Sequence, residues 1–304
     1  MVDSAASSGP AAALPLASDR VAEVLARIVE GRRRRVAESG EALGVQGLPA
    51  ASASEGNAPA VLDPASNAFL GALHESSPIE SPQIESSQGP SRPAIIAEVK
   101  MGSPRLGSLV GKIDAEQQAR TYRDVGASAL SVVVEPDFFH GGYELLERCR
   151  RASGLPAIAK DFVVDPIQLH WAANAGADAV LLIAALYDRH TLHALAAAAR
   201  RLGLVPLVET HGEGDLELLA GASWELVGVN NRDLRTFDVD LGHSEAMAPR
   251  LPAGALKVAE SGIASGADVA RLHRAGFRAF LVGESLLLAE DPAAQLRELL
   301  GDAG

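Results

Sequence analysis

Cysteine is almost absent from this chain. The single Cys149 excludes an internal disulfide and any cysteine-based zinc cluster. Positive charge is in deficit, with 27 Lys and Arg against 39 Asp and Glu and a net charge of −12. A protein that neutralises nucleic-acid phosphates leans the other way, so that class is disfavoured. No apolar run approaches the roughly 18 residues needed to cross a bilayer. The opening stretch MVDSAASSGPAAALPLASDR has no basic residues ahead of its short apolar segment, which argues against a secretory signal. The expectation is a cytoplasmic protein that engages neither nucleic acid nor membrane. Lysine is also scarce. Only Lys100, Lys112, Lys160 and Lys257 are present, and the other 23 basic residues are Arg. In a chain that uses arginine wherever a generic positive charge serves, a retained lysine points to lysine chemistry.

The 304 residues are 47% apolar and 22% charged, ordinary for a globular protein. They divide near residue 94. Residues 1–94 read as an N-terminal extension rich in Ala, Ser, Pro and Gly. Within it, Val21, Val24, Leu25, Ile28 and Val29 recur at helical spacing and predict an amphipathic helix over about 19–37, with Ser18 as its N-cap. Residues 39–60 and 75–93 read as flexible, low-complexity insertions whose composition cannot bury a core. A short apolar helix near Asn67–His74 lies between them. The run Arg32–Arg35 reads as the solvated end of a helix, where cations favour the C-terminal dipole.

Residues 95–304 repeat one pattern eight times. Candidate strands are Ile95–Lys100, Ala129–Val134, Ala157–Phe162, Ala179–Leu186, Leu204–Thr210, Leu226–Asn231, Leu256–Ser261 and Ala279–Glu284. Helical patterns follow near 114–125, 143–152, 165–175, 188–202, 212–220, 241–248, 265–275 and 291–300. Asp165-Pro166 and Asp291-Pro292 read as N-caps followed by an N1 proline. Gly126, Gly176, Gly203, Gly221 and Gly276 stand where helices end. Eight strand–helix units predict a (β/α)8 TIM barrel behind an N-terminal helical extension. A doubly wound sheet is the alternative, and it wants a glycine-rich first turn that EVKMGSPRLG does not supply.

In such a barrel the C-terminal strand ends carry the chemistry. Charge falls there repeatedly: Glu98 and Lys100, Lys160 and Asp161, Glu209, Asn230 and Arg232, Glu260 and Ser261, then Glu284. Each follows an apolar run, so each lies deep and needs a partner. Both signs converge from non-adjacent strands, as a shared cavity requires. Lys257 is at the start of its strand, on the face opposite Glu260, and reads as peripheral. Ser261-Gly262-Ile263 and Gly283-Glu284-Ser285 follow the last two strands, where barrels commonly cradle a phosphate on backbone N–H groups. His190 and His193 share a helix face but have no third ligand nearby, so no metal site is expected. Cys149, mid-helix without a histidine beside it, reads as a packing residue.

The segments IAEVKMGSPRLG, SVVVEPDFFHGG, AKDFVVDPIQ, LVETHGEGDL, VGVNNRDLRTFDVDL, AESGI and LVGESLL, in this order from about Ile95 to Leu300, resemble indole-3-glycerol phosphate synthases. The resemblance implies closure of the indole ring of 1-(2-carboxyphenylamino)-1-deoxyribulose 5-phosphate with loss of CO2 and water, and no cofactor. It implies Lys160 as the general acid at the ketone, with a pKa lowered by burial among cations. Glu209 would handle the proton of the dehydration, Lys100 would hold an anionic group, Glu98 would orient either lysine, and Asn230 would complete the catalytic set. Ser103, Phe139, Phe162, Arg232, Glu260 and Ser261 would bind substrate. Backbone of Gly262, Gly283 and Glu284 would bind its phosphate. The helix at 19–37 corresponds to that family's extra segment over the barrel mouth.

One stretch departs from the family pattern. After Glu98-Val99-Lys100 the family usually carries Arg or Lys, a small residue, then Ser-Pro-Ser. Here the chain reads Met101-Gly102-Ser103-Pro104-Arg105-Leu106. Arg105 is expected to replace the missing cation. The departure keeps open a paralogue acting on a substituted anthranilate-derived substrate. A non-catalytic phosphate-binding barrel and a sugar-phosphate isomerase are the readings from other classes. Partners are expected to be limited to the phosphorylated small molecule, in a monomer or weak oligomer.

Overall fold

The computed structural model describes residues 23–44, 48, 61–76, 92–104, 106–233 and 235–302. Eight parallel strands close into a barrel: β1 (Ala94–Val99), β2 (Ala129–Val133), β3 (Ala157–Lys160), β4 (Ala179–Ile183), β5 (Val205–Thr210), β6 (Leu226–Asn230), β7 (Leu256–Glu260) and β8 (Ala279–Val282). Each strand pairs with its sequence neighbour, and β1 pairs with β8 to close the ring. The strands are buried along almost their whole length, because helices cover the outside and side chains fill the inside. The crossover helices are α3 (Ala115–Val125), α4 (Tyr143–Ser153), α5 (Ile167–Asn174), α6 (Arg189–Arg201), α7 (Glu213–Leu218), α8 (Leu241–Met247) and α9 (Gly266–Arg274); the short α10 (Glu284–Leu288) and α11 (Pro292–Leu299) follow β8. The fold is the expected (β/α)8 barrel. No helix among the described residues is long and apolar enough to cross a membrane.

Local chemistry sets the helix ends. Asp114, Asp188 and Asp291 each accept a first-turn backbone N–H. Ser265 and Asp268 form a reciprocal capping box. The left-handed backbone at Gly126, with φ of 103°, ends α3 as a side chain could not without strain. Asp165 is displaced from its expected N-cap position: Pro166 occupies it, while Asp165 Oδ1 still accepts the N–H of Ile167.

Three strands end two or three residues short of expectation. β3 stops at Lys160 because the Asp161 carboxylate accepts the Phe162 N–H, which takes that residue out of the ladder. Ala184–Leu186 form a 3-10 turn rather than the end of β4. They lack the β-branched residues that hold a strand extended. The last expected strand likewise stops at Val282, and Glu284 begins α10.

The extension closes both ends of the barrel. α2 (Ala68–Ser76) buries Phe69, Leu70 and Leu73, and Asn67 ahead of it donates to the Asp178 and Gly203 carbonyls in the loops leading into β4 and β5. That is the N-terminal face. α1 (Glu23–Ser39) lies over the opposite mouth with Leu25, Ile28, Val29 and Val36 buried.

The arginine run corrects the solvated reading. Arg32 is 4% exposed, and its guanidinium forks onto Asp161, with Nε 2.9 Å from Oδ1 and Nη2 2.6 Å from Oδ2. Arg35 reaches Asp137. Arg34, paired loosely with Glu38, and Arg35 keep the exposed character expected of the run. The helix extends past these residues to Ser39, so they sit within it, and Arg32 faces the barrel. Residues 41–44, at the start of the compositionally biased 39–60 stretch, are also tied down. Leu43 and Gly44 N–H groups donate to the Asp165 carboxylate, and Trp171 Nε1 donates to Glu41. Ser18, residues 49–60 and 77–91, and Arg105 lie outside the described residues.

Candidate active site

A cavity of about 780 Å³ opens at the C-terminal ends of the strands. β1 brings Glu98 and, just past its end, Lys100; β3 brings Lys160; β5, β6 and β7 bring Glu209, Asn230 and Glu260. Alternation along each strand turns these side chains inward. Room for two of the carboxylates comes from glycine. A Cβ at Gly228 would collide with Glu260 Oε1, and one at Gly283 with Glu98 Oε1.

The polar floor is a chain of alternating charges. Lys100 Nζ donates to Glu98 at 2.8 Å. Lys160 Nζ lies 3.0 Å from Glu260 Oε2 and 3.5 Å from Glu209 Oε2. Asn230 Nδ2 donates to the other Glu209 oxygen at 3.2 Å. Burial alone would lower the pKa of Lys160, but the carboxylates of Glu260, Glu209 and Glu98 outweigh it and raise it. This reverses the expected lowering. Lys160 is surrounded by acids, not cations, and remains an ammonium through neutral pH. Burial likewise pushes Glu98 and Glu209 upward, but Lys100 and Lys160 overcome it at Glu98, and Lys160 and His211 at Glu209, so both stay ionised. Glu260 goes the other way. Burial beside the Glu209 carboxylate lifts it to about 7 despite Lys160.

The walls are apolar. Phe139 and Phe162 face each other with ring centres 6.0 Å apart, and Val133, Leu181 and Ile183 continue that side. Glu135 shapes the loop that presents Phe139: its carboxylate accepts the N–H groups of Asp137, Phe138 and Phe139. Val24, Leu25 and Ile28 of α1 form part of the roof, and Phe237 and Val239 face the opening from the loop after β6.

The loops after β7 and β8 close the far side with Ser261, Gly262, Gly283 and Glu284. Ser261 and Gly262 are both left-handed, with φ of 66° and 77°. A left-handed serine is uncommon and costs energy, and it is held here by Asn231, whose Nδ2 donates to the carbonyls of Glu260 and Ser261. Arg232 spans this rim, with Nη2 3.3 Å from Glu284 Oε2 and Nη1 3.2 Å from the Phe237 carbonyl.

All fourteen site residues singled out from the sequence therefore line one cavity. Ser103 and Pro104 reach it from a two-stranded hairpin, Gly102–Ser103 against Gly107–Ser108. Met101 does not: it is packed in the hydrophobic core. Lys257 is outside the cavity lining, bonded to the Ala248 carbonyl, and His193 bonds the Leu218 carbonyl. Cys149 is fully buried, which pushes its thiol up to about 12. His211 was missed. It stands two residues beyond Glu209, on the same face, and that spacing was the available signal.

The family model of indole-3-glycerol phosphate synthase matches residues 72–299. The chain belongs to this family. Relatives named indole-3-glycerol phosphate synthase include one from Koribacter versatilis, 44% identical over 208 residues, covering 68% of this chain and 80% of the relative. One from Polaromonas sp. is 43% identical over 210 residues, covering 69% of this chain and 80% of the relative. The indole-3-glycerol phosphate synthase 2 of Ralstonia nicotianae is 42% identical over 206 residues, covering 68% and 77%. Among solved structures, 3-hexulose-6-phosphate synthase from Salmonella typhimurium superposes with a TM-score of 0.55 at 16% identity, covering 68% of this chain and 97% of that one. At that identity the likeness is one of fold alone. In this chain the charged floor, aromatic wall and glycine-rich rim occupy the mouth at which TIM barrels place their chemistry.

Proposed function

We propose that this chain is an indole-3-glycerol phosphate synthase, a carboxy-lyase that closes the indole ring of 1-(2-carboxyphenylamino)-1-deoxyribulose 5-phosphate. The observation that carries the proposal is a lysine held as an ammonium between two inward carboxylates, inside a cavity with an aromatic wall on one side and a glycine-rich rim on the other.

The substrate's chemistry maps onto that layout. Its phosphate belongs at the rim, on backbone N–H groups of Gly262, Gly283 and Glu284. Its aromatic ring belongs against the wall formed by Phe139 and Phe162. Its carboxylate needs a cation, and Lys100 and Arg232 flank the cavity. In the first half, the ring carbon bearing the carboxylate attacks the ketone carbon. Negative charge develops on the ketone oxygen, and Lys160 stabilises and then protonates it. A high pKa suits this donor, because an alkoxide is basic enough to take its proton, and the cation stabilises charge from the start. CO2 then leaves and the ring regains its aromaticity.

In the second half, the new hydroxyl takes a second proton, from the Lys100 ammonium on the cavity floor, and departs as water while a proton leaves the adjacent carbon. Glu209, ionised and facing the cavity, takes that proton. Asn230 fixes its carboxylate, and Glu98 fixes Lys100. Glu260 and Ser261 position substrate and Lys160. The extension over residues 1–94 supplies the roof through α1, and the barrel over 95–304 supplies the chemistry. The protein acts in the cytoplasm as a monomer or weak oligomer.

The test is to supply purified protein with the carboxyphenylamino-deoxyribulose phosphate and follow indole fluorescence. Turnover with one CO2 released per indole supports the assignment. A folded protein that binds the substrate and yields no indole overturns it.

A further inference from the structure

His211 is the one buried imidazole in contact with the carboxylate assigned as base. Its side chain is 13% exposed, and Nε2 lies 3.1 Å from Glu209 Oε1. The angle is outside hydrogen-bond geometry, and neither ring nitrogen has a hydrogen-bond partner. A neutral imidazole buried in that way would leave two polar atoms uncompensated. A protonated one is compensated by charge. Glu209 faces it from its own strand, Asp215 from α7 and Glu260 from β7. Asp215 Oδ2 also accepts the backbone N–H of His211 at 2.8 Å, which fixes the residue at the strand end. No cation from a neighbouring element competes at the ring more strongly than these acids, and they raise its pKa against the effect of burial.

The same contact resolves an asymmetry in the floor. Lys160 sits 3.0 Å from Glu260 and 3.5 Å from Glu209. Judged by Lys160 alone, Glu260 would be the ionised member of the two carboxylates and Glu209 the protonated one. A protonated Glu209 could not take a proton from substrate. What lies on the Glu209 side and not on the Glu260 side is His211, with Asn230 as a neutral donor.

We propose that His211 is a positioning residue that acts through Glu209: its positive charge decides that Glu209, not Glu260, is the carboxylate left free to act as base. The idea rests on the assignment of Glu209 under the proposed synthase activity. The group is outside the cavity lining, so it touches Glu209 from behind rather than the substrate.

The experiment is the pH profile of kcat at saturating substrate for wild type, His211→Gln, His211→Lys and Glu209→Gln. Saturation confines the profile to groups in the enzyme–substrate complex. In His211→Gln the acid limb, where Glu209 must be ionised, moves up by about one pH unit or more, because an opposing charge within ~4 Å is lost. The high-pH plateau falls far less than the rate at the foot of the limb. His211→Lys restores a cation and returns the limb toward its wild-type position. A His211→Gln profile that drops uniformly with its limb unmoved shows a merely structural role and overturns the inference. An inactive Glu209→Gln beside that unmoved limb overturns this inference alone. A Glu209→Gln enzyme with wild-type turnover overturns the base assignment, and this inference with it.

Discussion

Replacing Arg32 with methionine separates the docking of the roof helix from the barrel beneath it. The apolar stem is retained, and the fork onto Asp161 is lost. Both groups are buried, with side-chain exposures of 5% and 1%. Removing one partner of a buried ion pair costs about 3–5 kcal/mol when the other is left unpaired. Asp161 is not left bare: Tyr143 Oη, Gln168 Nε2 and the Phe162 N–H still donate to it at 2.8–2.9 Å. The expected cost is therefore lower, about 2–4 kcal/mol. α1 keeps Leu25, Ile28, Val29 and Val36 buried, so it stays docked but opens more often. At 1.4 kcal/mol per tenfold, amide exchange across residues 23–39 should accelerate roughly 30- to 700-fold, with barrel strands little changed. KM should rise, because Val24, Leu25 and Ile28 roof the cavity. Hydrogen exchange read by mass spectrometry, together with steady-state kinetics, measures both. Unchanged protection of α1 with an unchanged KM would refute the reasoning.

The other consequences are simpler to state. Lys160→Ala should cost about 10²–10⁴ in kcat with the fold intact by circular dichroism; Lys160→Arg should also fail, because a guanidinium does not give up its proton, and near-wild-type turnover by either would remove Lys160 from the acid role. Deleting residues 39–60 takes away the Leu43 and Gly44 N–H groups that Asp165 accepts, and leaves that buried carboxylate only the Ile167 N–H among these donors. The midpoint of thermal unfolding should fall by roughly 5–15 °C, from about 2–4 kcal/mol spread over a barrel of this size; an unchanged midpoint would show that this contact contributes nothing. Cys149, with its thiol pushed up to about 12, carries almost no thiolate at pH 8, so thiol reagents should label it only on unfolding, and rapid labelling of the native protein would contradict its burial.

The barrel was legible because its signals are local. Apolar runs of strand length alternate with capped helical patterns, and six of the eight runs carry at their ends a charged or polar residue that faces the mouth. What was not legible depended on distant partners. Arg32 looked solvated because its partner, Asp161, is 129 residues away. Lys160 was expected among cations, yet its nearest charge is Glu260, 100 residues on. The sign of that neighbour reversed the direction of its pKa without changing its place. Residues 41–44 looked like free linker because their composition is poor in apolar groups, but they are held by backbone N–H groups on Asp165, a bond type that composition does not reveal. His211 carries a readable signal in its i, i+2 relation to Glu209.

The division of labour between Lys160 and Glu209 is tested most directly by a single-turnover reaction with enzyme in excess, in which CO2 and indole are measured separately for wild type and Glu209→Gln. Wild type should release one CO2 and form one indole on the same time course. Glu209→Gln should still release CO2, because ring closure and decarboxylation depend on Lys160, while indole lags far behind because the dehydration has lost its base. Equal loss of CO2 and indole in Glu209→Gln would contradict the account, since it would place Glu209 at or before ring closure.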